Sequence, residues 1–188
     1  MPSKYTNTTE NFGRRARLLH ALLALLIMLL LALGLSFDSL PKGPIKMWAV
    51  SLHKLFGFCA AGLMIVWWAE FITRVKPLPP QGSSLGLHRL AVAVKWLLMV
   101  CATLMAFSGW LMSAASNRLN IKALNINLPN PLASPDKALA GFLWDIHETV
   151  PTLLLIAIGL HMAGALYHHF IRRDRVLVRM FPFIKTPK

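Results

Sequence analysis

The chain has 188 residues, 56% of them apolar and 14% charged, with a net charge of +13. Such a balance excludes an ordinary soluble domain and puts the chain in the membrane class. The positive excess does not indicate nucleic acid, because no matching fold motif or aromatic-basic interleaving accompanies it and most of it obeys the rule that sets membrane orientation.

The charges are clustered, and between the clusters lie four apolar runs of about spanning length, roughly 20 residues at 1.5 Å each. The first, 18–37, follows Arg14, Arg15 and Arg17 and carries His20. It is too long for a signal-peptide core and no small-residue cleavage site follows, so a retained helix is expected. The second, 47–72, holds His53, Lys54, Gly57 and Glu70, and the connector KPLPPQGSS, stiff and then flexible, returns the chain. The third, 90–114, holds Lys95, with His88 just ahead of it as an expected loop residue. The following loop, 115–138, contains NLPNPLASPDK and is expected to run over the outer surface, where a cap or donor-facing lid would sit. The fourth run, 150–170, starts nearer Leu139 and reads HETVPTLLLIAIGLHMAGALYHHF from His147 onward.

The expected fold is all-α: an integral membrane four-helix bundle, up-down-up-down, forming a single domain over 1–188 with helices at about 18–37, 47–72, 90–114 and 139–170 and basic tails at both ends. Thirteen Lys and Arg fall in the two tails and second loop, Lys4 and Lys188 among them, against five on the other side (Lys42, Lys46, Arg118, Lys122 and Lys137), which predicts cytoplasmic termini. Cys59 and Cys101 read as small buried hydrophobes.

Four histidines in or beside one greasy segment need partners, since imidazole is polar. His147 and His161 are 14 residues apart, which leaves them on one helix face about 21 Å apart along the axis. Matching depths across the bundle pairs His53 with His147 near the outer end and His20 with His161 toward the cytoplasm. Two imidazoles facing each other from different helices suit a haem iron, with Gly57 and Gly164 leaving room for the macrocycle. Zinc prefers four close ligands, which positions split across two depths do not supply. The plainer alternative for any single histidine is a hydrogen bond to a neighbouring carbonyl.

His168 continues the face of His161 about 10 Å further on. Its readings are a proton-donating group at a quinone site, shared with Arg172, or a solvated interfacial residue. His169 points roughly 100° away, toward headgroups. Lys54 either neutralises a haem propionate or snorkels to the outer interface, and Glu70 and Lys95, at similar depth, are expected to pair.

These residues resemble the bacterial cytochrome b561 family of small four-helix, di-haem membrane cytochromes. The resemblance is carried by His147-Glu148, Gly159-Leu160-His161, Ala165-Leu166-Tyr167-His168-His169 and Leu177-Val178-Arg179-Met180-Phe181-Pro182, and extends to His20, His53-x-x-x-Gly57 and Ser108-Gly109-Trp110-Leu111-Met112. It implies the same ligand pairs, two non-covalent b-type haems and a multi-pass protein of the bacterial inner membrane. A non-covalent haem agrees with the lack of any C-x-x-C-H. Members often carry a histidine where this chain has Lys95. One member looks like a superoxide:ubiquinone oxidoreductase.

Iron with both axial positions filled has no open site, so outer-sphere electron transfer is expected. The leading expectation is an oxidoreductase that takes electrons from an outer donor, superoxide favoured, and reduces ubiquinone near His168. The alternatives are an electron-transfer subunit serving a periplasmic dehydrogenase or hydrogenase, and a haem-free structural or transport bundle.

Overall fold

The computed structural model describes residues 5–79 and 84–185; Lys4 and Lys188 of the tails and 80–83 of the second loop lie outside them. Among the described residues four helices are long and apolar enough to cross a membrane: α1 (Arg14–Ser36), α2 (Pro44–Thr73), α3 (Leu85–Ala115) and α4 (Lys137–Leu166), the last continued by a π-helical turn, Tyr167–Ile171. A short α5 (Val176–Met180) follows, and a two-stranded hairpin, β1 (Asn120–Ile121) and β2 (Ile126–Asn127), occupies the third loop. Hydrocarbon offers backbone amides no partner, so helices that satisfy their own N–H and C=O groups are the expected spanning form. Their outward surface is apolar: Leu25 is 70% exposed, Ile65 60% and Ile156 54%, a pattern that is stable against lipid and not against water.

Helix ends depart from the apolar runs where local chemistry decides them. α1 begins a turn early, taking in Arg14, Arg15 and Arg17. α3 begins more than a turn early because Ser84 caps it: its hydroxyl accepts from the Leu87 N–H at 3.3 Å and its carbonyl from the His88 N–H at 3.1 Å. His88 is therefore an exposed residue of the first turn of α3 and not a loop residue. Asp136 caps α4 by accepting from Ala138 and Leu139. Inside α4, Pro151 has no N–H to offer the His147 carbonyl one turn back.

The chain folds as two compact units. The first comprises the described residues of Met1–Leu22, Val66–Val100 and Leu153–Lys188, with Leu19, Val94, Met99, Leu154 and Ala157 buried. The tails are built into it. Asn7 donates to the Val75 carbonyl at 3.0 Å and accepts from the Gly13 N–H, Leu78 donates to the Thr9 carbonyl, and Arg179 donates to the Leu78 carbonyl.

The second unit comprises Leu23–Ile65 and Cys101–Thr152. Its buried positions include Ala60, Ala61, Ala102 and Ala106, small side chains that let helix backbones approach closely. α3 ends in a Schellman motif, with Asn117 at φ 52°, Asn117 N–H on the Ala114 carbonyl and Arg118 N–H on the Ser113 carbonyl. The third loop then folds back as a packed cap. Ile121 is fully buried with Ala114, Leu119 and Leu128 against Leu55, Phe58, Trp110 and Leu132. Ser51 accepts from the Ala123 N–H, Trp110 donates to the Pro129 carbonyl, and Lys54 donates to the Arg118 carbonyl at 2.7 Å. Cys101 is buried as expected, but Cys59 is exposed, because the small residues Ala60 and Ala61 take the buried side of α2 at that level.

Ile121 is the largest side chain that is wholly enclosed. Ile121→Ala should cost about 2–5 kcal/mol locally and loosen the cap, seen as faster limited proteolysis between 116 and 136 in detergent while the helical content by circular dichroism is unchanged.

Candidate functional site

In the first unit, His20 of α1 and His161 of α4 face each other with ring centres 6.2 Å apart and planes at 48°. Trp67 of α2 and Phe181 stand beside the His20 ring at 6.3 Å and 6.0 Å. His20 Nδ1 is enclosed and has no hydrogen-bond partner among the described residues.

In the second unit, His53 of α2 and His147 of α4 face each other with centres 6.1 Å apart and planes at 85°. Phe37 meets the His53 ring edge-on at 5.2 Å. Ser108, buried in α3, lies 3.0 Å from His147 Nδ1 through its hydroxyl. When that nitrogen carries the proton it donates to Ser108, which fixes the ring and leaves Nε2 free to bind. An added Cβ at Gly109 would meet His147 Cε1 at 2.8 Å, and one at Gly34 would meet His53 Cε1 at 3.3 Å. Both rings of this pair thus lie against bare backbone.

The spacing decides what these pairs suit. A histidine nitrogen binds a first-row metal at roughly 2.0–2.1 Å and the imidazole centre lies about 1.1 Å behind it, so two axial imidazoles on one metal have centres about 6.3 Å apart. Both pairs have that spacing. Rotation about the metal–nitrogen axis is free, so the differing plane angles are immaterial. Among the described residues no three His, Cys, Asp or Glu converge as a metal-binding group. Each pair therefore sets two imidazoles from different helices at the spacing of two ligands to one metal, with no further metal-binding group converging among the described residues, a combination that fits a haem.

At Gly57 and Gly164 an added Cβ meets nothing within 4 Å, so the space beside both backbones is open. Lys54 reaches outward to Arg118 in the cap. Glu70 does not pair with Lys95. It forms its ion pair with Arg74, one turn along its own helix, where a guanidinium at the helix end reaches it directly.

His168 is half-buried and held by an acid. Its side chain is 12% exposed and its Nδ1 lies 2.6 Å from Asp174 Oδ2. Asp174 is held in turn, its N–H on the His168 carbonyl and its Oδ1 accepting from Val176 at the start of α5. Arg172 is exposed, its N–H on the Tyr167 carbonyl in the π pattern. His169, expected to face headgroups, is 8% exposed and packs against Phe170 with ring centres 4.7 Å apart. The cause is the π turn: its wider winding invalidates the α-helical angle used to aim that side chain.

Sequence reasoning missed Ser108 and Gly109 as neighbours of His147, Gly34 as the neighbour of His53, and Asp174 as the partner of His168. The available signals were a serine-glycine step inside an apolar helix and a lone acid in a basic tail.

A family model described as prokaryotic cytochrome b561 matches residues 11–183. Cytochrome b561 homolog 2 of Escherichia coli (strain K12) is 29% identical over 185 residues, 94% of either chain. Cytochrome b561 homolog 1 of the same organism is 30% identical over 112 residues, 57% of this chain and 58% of that protein, so that match spans a little over half the relative's length. With four apolar spanning helices and opposed histidines in a greasy interior, the chain belongs to the prokaryotic cytochrome b561 family of membrane electron-transfer proteins that bind haem b.

Proposed function

We propose that the protein carries two b-type haems, one held by His20 and His161 and one by His53 and His147. In this reading it moves electrons from a donor on the outer side, superoxide favoured, to ubiquinone at the cytoplasmic side, as a multi-pass protein of the bacterial inner membrane. The observation that carries it is the presence of two opposed imidazole pairs at 6.2 Å and 6.1 Å. When held by these four histidines, the haems would supply one-electron transfer. In balance, two superoxide ions give two electrons and become dioxygen, while one ubiquinone takes up two electrons and two protons.

The protein's own groups supply the rest. Six cationic residues (Lys42, Lys46, Lys54, Arg118, Lys122 and Lys137) against four acids (Asp38, Asp136, Asp145 and Glu148) on the loops and helix ends of the second unit favour an anionic donor. Lys46 and Lys54 are held in place by the Phe37 and Arg118 carbonyls. Asp174 orients His168 through Nδ1, which leaves Nε2 to give a proton to a quinone oxygen and recover it from the cytoplasm. Arg172 adds positive charge for the developing anionic oxygen.

His161→Ala should reduce the haem count from two to one, with the remaining haem still reduced by superoxide while ubiquinone reduction collapses. Carbon monoxide should leave most of the parent's reduced spectrum unchanged. Two haems in that variant, or a large carbon monoxide shift in the parent, would show that the ligand assignment is wrong. A parent protein that reduces ubiquinone with superoxide only when a co-purifying partner is present would be an electron-transfer subunit instead.

Gly109→Val should push His147 aside and remove the outer haem alone, detected as one haem per chain in a protein that still elutes as the parent does. His168→Ala should retain both haems yet slow ubiquinone reduction by about 100-fold or more, the usual scale for losing a positioned proton donor. Asp174→Asn should slow it less, since it removes only the partner that orients His168. Loss of haem in either His168 or Asp174 variant would make His168 a ligand.

A further inference from the structure

The last turns of α2 carry a polar stripe. Trp67, Glu70 and Arg74 recur at helical spacing and share one face, and that face meets the His20 ring through Trp67 at 6.3 Å. Glu70 takes the Nε edge of the Arg74 guanidinium. The other edge is unused: Arg74 Nη1 is enclosed without a hydrogen-bond partner among the described residues, as are Trp67 Nε1 and the Glu70 Oε2 that lies against Arg74 Nε. An enclosed guanidinium N–H without an acceptor is costly, and an arginine oriented through Nε presents its remaining N–H groups to a planar, charged oxygen ligand. Arg74 lies about 10 Å along the axis beyond Trp67, comparable to the reach of a porphyrin from its centre to its carboxylates.

We infer that Arg74, oriented by Glu70 and flanked by Trp67, is the binding group for a porphyrin carboxylate of the haem held by His20 and His161. The inference rests on the assignment of that pair as haem ligands. Glu70 is then a positioning residue: it neutralises Arg74 while the site is empty and holds its open edge toward the ligand. Trp67 closes the site beside the ring and offers a second donor. The same donors also suit a quinone carbonyl, so the test separates the two acceptors.

The full chain bearing His147→Ala isolates the His20 and His161 site. In detergent, haem b and its dimethyl ester are titrated into this protein after haem removal, with and without Arg74→Gln, and binding is followed by Soret absorbance. With Arg74 in place, esterification should weaken binding about tenfold or more, and in Arg74→Gln the penalty should shrink to a few-fold at most. Arg74→Lys, which keeps the charge but not the fork, should fall between. The midpoint potential of this haem should drop in Arg74→Gln, since a nearby cation favours the reduced state. An ester penalty that is the same with and without Arg74 overturns the inference while leaving the ligand pair intact. An unchanged penalty together with a raised KM for ubiquinone in the otherwise unaltered chain assigns Arg74 to the quinone. Failure of the chain that retains Arg74 to bind haem b overturns the ligand pair itself, and the inference with it.

Discussion

Two imidazoles held face to face at about the same separation, in each of two apolar surroundings, are the constraint around which the rest is arranged. A polar ring in a low-dielectric interior needs a partner for each nitrogen, and a ligand ring also needs its orientation fixed by something other than what it binds. For the pair in the second unit, Ser108 takes Nδ1 of His147 and the backbones of Gly34 and Gly109 let the rings sit where a side chain would collide. For the pair in the first unit the ring of His20 is walled by Trp67 and Phe181. The former is set into backbone and beside Phe37, the latter among aromatic side chains. Hydrogen bonding and local charge tune a bound iron, so as haem ligands the two pairs would have different means of setting potential.

The parts legible in the sequence are those governed by a simple period or a solvent limit. Hydrocarbon demands about 20 apolar residues per span, so α1 to α4 stand out as runs between charge clusters. The constant rise of a helix turned the positions of His20, His53, His147 and His161 into depths, and depth matched the histidines that do face each other. The same arithmetic failed at His169, where the winding changes. It also failed for Glu70 and Lys95, because equal depth on neighbouring helices does not outweigh a partner one turn away on the same helix, and Arg74 was there.

What the sequence concealed depended on contacts between elements with no period. Ser108 and Gly109 look like ordinary interruptions of α3 until His147 is placed opposite them. Asp174 is one acid in a tail dominated by arginine, and its role appears only when the chain turns back after His169. The third loop, with its Asn and Pro, reads as a surface connection, yet it forms a hairpin and a packed cap in which Ile121 is wholly enclosed. A short apolar pattern in a loop has no helical or strand repeat to announce what it will cover.

The π turn has one more consequence. Such a turn is an α-helix holding an additional residue, and here it lies between α4 and the segment that delivers Asp174 to His168. The alignment of the C-terminal segment with α4 is therefore fixed by a count of residues as well as by contacts. A wide turn absorbs its additional residue, so removing one from Tyr167–Ile171 would let the helix close into regular α geometry and undo the local contacts the turn provides, the Arg172 N–H on the Tyr167 carbonyl and the reach from His168 to Asp174. A deletion that keeps the reading frame of the gene would thus spare the helix and cost the contact between His168 and Asp174, so length in this stretch matters through that one pair.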